Sequence, residues 1–377
     1  MNCLNMAENK ISKSKDSDKS VDRISYIDIA KGIGLILVIF GHLFRYGGRP
    51  SIFIFSFHMP LFFIISGFCF NPDKNNDFKH YLVKKVKSLL LPYLTFCILG
   101  FTISMFVPEW RADISAKILF EQVFYLAAPE LCHVGQVWFL VCLFFVEVFS
   151  FIIYKKIFKK MEWWLIVPIL CALACLGYNS YFIAIQYFPL GRMPWKIDSA
   201  ITAIVLYFIG FYFKKSKLSA RLLSVKSFWL IVSSIITITV TYILSINYLG
   251  WANISSLSFG PQPVLYYCCA VLGTYSVMAI SIYISKISQL DIIRIVGKRS
   301  LFVFAVHSLV LYAIIGASSK LYGYTITMGQ NPPYGMVIYG GLFATVLLFG
   351  ITNAVNDWMD KCKSRRIKRA LSLIGLT

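Results

Sequence analysis

Charged side chains are scarce. Asp, Glu, Lys and Arg make up 14% of the 377 residues, against about a quarter in soluble domains, which excludes an ordinary soluble enzyme. Acidic residues are the scarcer sign, 17 against 37 Lys and Arg, and few lie within apolar runs, whereas proton-coupled carriers usually bring more intramembrane carboxylates. Segments of alternating polarity are missing, which excludes a membrane β-barrel. The ten cysteines form no Cys-x-x-Cys pair, and only Cys132 falls in an expected outer loop. Neither an extracytoplasmic disulfide framework nor a metal site is indicated. Cys171, Cys175, Cys268 and Cys269 read as small apolar filler. There is no glycine-rich loop ending in Lys-Ser/Thr and no Gly-x-Ser-x-Gly elbow, so nucleotide hydrolysis and a serine-hydrolase arrangement lack their motifs. No internal repeat is visible.

What fills the chain is apolar: 58% of residues are hydrophobic and the mean hydropathy is +0.69. Runs long enough to cross a bilayer as tilted or bundle-packed helices fall at 27–45, 52–70, 89–107, 136–154, 163–178, 199–213, 228–246, 264–284, 300–319 and 336–355. They predict an all-α integral membrane protein of about ten transmembrane helices. An even number of spans leaves both termini on one side. All but seven of the 37 Lys and Arg residues fall in segments on that side; the exceptions are Arg45, Arg49, Arg111, Lys117, Arg192, Lys196 and Lys320. The positive-inside rule then makes both termini cytoplasmic. The net charge of +20 serves to orient helices and meet anionic lipid, so nucleic acid is not needed as a partner. Residues 1–26 are polar and mixed in charge and read as a disordered cytoplasmic tail rather than a cleaved signal peptide. Residues 27–355 form one membrane domain, and 356–377 a basic cytoplasmic tail with a short interfacial helix.

Ionisable groups inside membrane helices are expensive, so each is a functional candidate. They are Asp28, Lys31, His42, His58, Glu147 and His307. Lys31 and His42 bracket the stretch KGIGLILVIFGH. At about 100° per residue they share a helix face roughly 16 Å apart along the axis, with Asp28 near the same face. Lys31 and Asp28 also fit a snorkelling cation and a paired helix-terminal acid, and His42 an interfacial imidazole. His58 precedes Met59-Pro60, a proline break, where it either acts as a base or caps freed backbone. His307 lies two turns after Ser300 and either works chemically or bonds a neighbouring helix. Glu147 either pairs across helices or acts directly. His80 and His133 read as ordinary loop residues. Lys84, Lys85 and Lys87 form a cluster at the foot of the third helix, an orientation signal that also suits a polyphosphate ligand. Outer-loop aromatics Trp110, Tyr125, Tyr178, Trp195 and Trp251 are candidate platforms for a sugar or plain membrane-interface residues.

The stretches RISYIDIAKGIGLILVIFGH, FSFHMPLFFIISGF, KKVKSLLLPYL with VWFL, and GKRSLFVFAVH, in that order, resemble the membrane acyltransferase family three, within it the fucose 4-O-acetylase-like branch. Lys31 and His42 match the family's basic residue, ten intervening positions and histidine, with Lys where the family usually has Arg. The resemblance implies transfer of an acyl group, most often acetyl, from cytoplasmic acyl-coenzyme A to a carbohydrate hydroxyl at the outer face of a cell membrane, the bacterial plasma membrane being the expected location. Acetyl-coenzyme A is then the donor and a cell-surface or lipid-linked glycan the acceptor, with no metal. His42 is the expected general base, since neutral imidazole suits a hydroxyl attacking a thioester near pH 7. Asp28 and Lys31 position it or the donor, His58 and His307 complete the polar cavity, and Lys84, Lys85 and Lys87 meet the donor's phosphates. The reading from another class is a transporter or flippase for a glycan or lipid-linked sugar.

Overall fold

The computed structural model describes residues 25–74, 77–107, 115–287, 291–330, 332–361, 364 and 371. The expected tail 1–26 and most of the tail past 361 lie outside the described residues. Among those described, ten helices are long and apolar enough to cross a membrane. They are α1 (Ser25–Leu43), α2 (Arg49–Cys69), α3 (Phe78–Phe106), α4 (Gly135–Lys156), α5 (Trp163–Tyr187), α6 (Pro189–Lys215), α7 (Ser227–Leu249), α8 (Pro263–Ile287), α9 (Ser300–Tyr322) and α10 (Tyr334–Met359). Each matches an expected run, and the chain is an all-α polytopic membrane protein.

Several helices outrun their apolar runs. α3 begins eleven residues early, because Phe78–Lys85 is already helical and passes through a π turn, Val86–Leu90, into Leu91–Phe106. The lysines there do not end the helix because Lys84 and Lys85 face a polar cavity. The domain boundary expected at 355 falls inside α10.

The helices differ in what surrounds them. Of an apolar 18-residue stretch in each, 78%, 78% and 72% is buried within the protein for α2, α4 and α6, but only 17% and 22% for α5 and α7. The first three therefore form the centre, and the other two give their apolar surface to lipid. In hydrocarbon no hydrophobic effect draws helices together, so close packing must. A Cβ on Gly67 would strike the backbone carbonyl of Tyr207, and one on Gly210 that of Ile64. These two glycines let α2 and α6 meet backbone against backbone.

The break expected in α2 is present. Pro60 has no N–H to give to Ser56, and the chain departs from helix at Phe57 (φ −144°) before His58 restarts it. α6 opens irregularly too, with Trp195 and Lys196 both left-handed (φ 60° and 58°), a conformation that costs non-glycine residues about 1–3 kcal/mol each. Between α7 and α8 a short hairpin pairs Ala252 with Phe259 and Asn253 with Ser258.

Candidate active site

Three of the five histidines meet at the end of the bundle opposite the lysine cluster. His42 closes the last turn of α1, His58 restarts α2 after the break, and His307 lies in α9. The rings of His42 and His307 are stacked, their centroids 5.5 Å apart at 28°, while His58 packs edge-on to Phe55 at 4.6 Å. His42 and His58 line a chamber of about 390 Å³ with Tyr46, Trp138, Lys196, Trp251, Asn253 and other residues. His307 is buried behind His42.

Hydrogen bonds set which nitrogens are free. His58 Nδ1 lies 2.9 Å from the Ile54 carbonyl and His307 Nδ1 2.6 Å from that of Phe304. A carbonyl only accepts, so both Nδ1 atoms carry the proton and both Nε2 atoms hold a lone pair in the neutral rings. His307 Nε2 is buried and unbonded. His42 Nδ1 meets the Tyr46 hydroxyl at 3.0 Å. His58 thus bonds the Ile54 carbonyl, which also accepts from the Phe57 N–H at 3.2 Å, rather than the Ser56 carbonyl that Pro60 frees, and still presents a basic nitrogen; His307 bonds its own helix and not a neighbour.

At the other end, a cavity of about 570 Å³ is lined by Lys31, Lys74, Lys84, Lys85 and Lys214 together with Asn71, Glu147 and Tyr207. Lys87 does not line it. Glu147 pairs across helices with Lys85 and accepts from the Tyr81 hydroxyl at 2.9 Å. Lys31 lies 3.7 Å from Asp28. Asp28 is buried at that end, far from the histidines, so it can orient Lys31 but cannot reach His42.

A third, smaller cavity of about 170 Å³ lies between the two ends. It shares Lys31 and Ser66 with the basic cavity and Phe304 with the histidine chamber. Phe304 packs against Phe139 at 5.1 Å and Phe62 at 6.2 Å, an aromatic neck between the small cavity and the histidine chamber. Ser300, two turns before His307, lines this small cavity.

The irregular start of α6 is held by Asp198, which is fully buried. Its carboxylate accepts from Arg192 Nε at 2.7 Å and Nη2 at 3.0 Å and from the backbone N–H groups of Met193 and Ser199 at 3.2 and 2.7 Å. Arg192 Nη1 and Lys196 Nζ both donate to the Ser255 carbonyl, at 2.9 and 3.2 Å. Among the described residues no group of three His, Cys, Asp or Glu side chains could hold a metal ion.

His80 is helical and exposed rather than in a loop. His133 Nδ1 lies 3.0 Å from the Ser104 hydroxyl, and partial burial lowers its imidazole below the ordinary value. Of the aromatic candidates, Trp251 lines the chamber and Tyr125 donates to the Arg192 carbonyl at 3.0 Å. Tyr178 and Trp195 pack elsewhere, against Phe259 and Phe145, and Trp110 lies outside the described residues.

No curated protein and no solved structure matches the chain. A family model described as an acyltransferase domain matches residues 24–353, which takes in both end cavities and the small cavity between them. The chain therefore belongs to acyltransferase family three and is a multi-pass membrane acyltransferase.

Proposed function

We propose that the protein moves an acyl group, acetyl in the simplest case, from acyl-coenzyme A in the basic cavity to a carbohydrate hydroxyl in the histidine chamber, as the fucose 4-O-acetylase-like branch would. The observation that carries this is the run of three cavities with Lys31 at one junction and Phe304 at the other. Coenzyme A is a polyanion on a long thin arm. Its phosphates suit the lysine-lined cavity, its pantetheine the small cavity, and its thioester the neck at Phe304. The arm is long enough to span the roughly 16 Å between Lys31 and His42 along α1, which supports direct transfer to the acceptor.

The skew of Lys and Arg towards the basic end supports placing that end, and both termini, in the cytoplasm. The donor then enters from where coenzyme A is made, and the acceptor from the outer face of the plasma membrane. In the chamber, His42 takes the hydroxyl proton as the new C–O bond forms. The C–S bond breaks, and the departing thiolate is protonated from the imidazolium. With its Nδ1 proton committed to a backbone carbonyl, His58 offers an acceptor nitrogen to the chamber, which suits it to orient the hydroxyl, while His307 stacks on His42 and supports that ring.

The test is transfer of radiolabelled acetyl from acetyl-coenzyme A into cell-envelope glycan, with membranes carrying wild type or His42→Ala at matched levels. Label from the wild type alone supports the reading. Equal label from both removes His42 from the chemistry, and label from neither in the presence of ample acceptor favours a transporter.

A further inference from the structure

Lys196 is a charge the reaction so far does not use. It is 6% exposed and lines the histidine chamber. Its Nζ donates to the Ser255 carbonyl at 3.2 Å and hydroxyl at 3.3 Å, and the Trp138 ring lies 5.8 Å away. Two of its three N–H groups are thus committed and one remains. No carboxylate pairs with it among the described residues. Asp198, the nearest candidate in sequence, is already neutralised by the two-pronged grip of Arg192. The cluster of Arg192, Asp198 and Lys196 therefore keeps one net positive charge. Glu130, the acid that also lines the chamber, is exposed.

A buried ammonium without a counter-ion is unfavourable, and here the chain holds it in place with left-handed backbone at Trp195 and Lys196. The hairpin after α7 links this cation to the histidines. Its Ser255 clamps Lys196, while Trp251, at its start, packs on Phe55 at 4.6 Å and on Tyr46 at 5.5 Å. Tyr46 in turn bonds His42.

We propose that Lys196 binds a carboxylate carried by the acceptor, so that the hydroxyl acylated belongs to an acidic sugar of the uronic-acid type. One net positive charge matches one carboxylate. Trp251, Lys196 and His42 line one chamber, so a sugar ring stacked on Trp251 can give its acid group to the ammonium and a hydroxyl to the imidazole, and the acid group fixes which hydroxyl meets the base. This rests on the acyl-transfer reading of the chamber.

The experiment compares methyl β-D-glucuronide with methyl β-D-glucoside, two rings differing in the carboxylate, on the full-length protein in detergent. Binding is followed by tryptophan fluorescence without donor, and transfer by labelled acetyl-coenzyme A. The wild type should bind and acetylate the glucuronide with a Kd and KM about tenfold or more below those for the glucoside, as a charge-assisted contact warrants. Lys196→Met should erase that preference by weakening the glucuronide alone, and Lys196→Arg, which keeps the charge, should restore part of it. Equal binding of both sugars by the wild type, binding of neither, or an equal fall in kcat on both with Lys196→Met overturns the proposal. Glucuronide bound but never acetylated would instead overturn the acyl-transfer reading and leave the carboxylate site standing.

Discussion

Phe304 serves His307 with its backbone and the small cavity with its side chain. Its carbonyl accepts the Nδ1 proton of His307 at 2.6 Å, and its ring, 5.5 Å from that imidazole, closes the neck between the small cavity and the chamber. Opening the neck and moving His307 are therefore coupled, since both lie on one turn of α9.

Enlarging that ring should obstruct the thioester without touching the lysines. Phe304→Trp is expected to lower kcat/KM for acetyl-coenzyme A about tenfold, near 1.4 kcal/mol of barrier, with coenzyme A affinity unchanged by titration calorimetry. A matching loss of coenzyme A affinity would show that the neck is not where the donor's reactive end lies.

His42 and Tyr46 separate base from support. Losing a general base costs about 10²–10⁴ in rate, so His42→Gln should abolish detectable transfer while the protein still elutes as a single species. Tyr46→Phe removes only the 3.0 Å bond to Nδ1, worth about 1 kcal/mol, and should leave transfer within tenfold of wild type. Equal losses in the two variants would place the tyrosine, not the histidine, at the reacting atoms.

The spans and the three clustered histidines are legible because apolar runs are long and an imidazole within one stands out. Their convergence is not, because hydropathy carries no information on which helices neighbour each other. Lys74 and Lys214 carry no distinguishing signal in the sequence, since they sit at helix ends among other basic residues, where an orientation signal and a ligand contact look alike. Lys87 illustrates the converse. It lies within the π turn Val86–Leu90, where the α-helical spacing used to place it on one face with Lys84 and Lys85 no longer holds, and it does not line the cavity that they do. Lys196 was visible as one of few outer cations, but its burial depends on left-handed backbone that no pattern of residue types announces.

The contact of α2 with α6 admits no side chain at Gly67 or Gly210. Gly67→Ala forces the helices apart and should destabilise the protein by about 1–3 kcal/mol, read as a Tm several degrees lower in detergent. Gly316 has open space around it, so Gly316→Ala should leave Tm unchanged or slightly raised. A Gly67→Ala protein as stable as the wild type would contradict the backbone-to-backbone contact.

Glu147 is the acid among five lysines, and its partner is specific. Lys85 and Glu147 are 20% and 10% exposed at their side chains, so breaking the pair leaves a poorly solvated charge. Lys85→Met strands the carboxylate with only the Tyr81 hydroxyl, and should cost about 1–3 kcal/mol, the buried-pair penalty discounted for residual solvent. Glu147→Gln keeps a partner for Tyr81 and leaves a flexible ammonium that can turn into the open cavity, so it should cost less. The double variant Lys85→Met with Glu147→Gln should recover most of the stability lost in Lys85→Met, because no unpaired charge remains. Coenzyme A affinity should not recover with it, because the cation that meets the phosphates is gone, and what binding remains should weaken with added salt. Recovery of both would make the pair purely structural, and recovery of neither would mean that Glu147 contacts the donor itself.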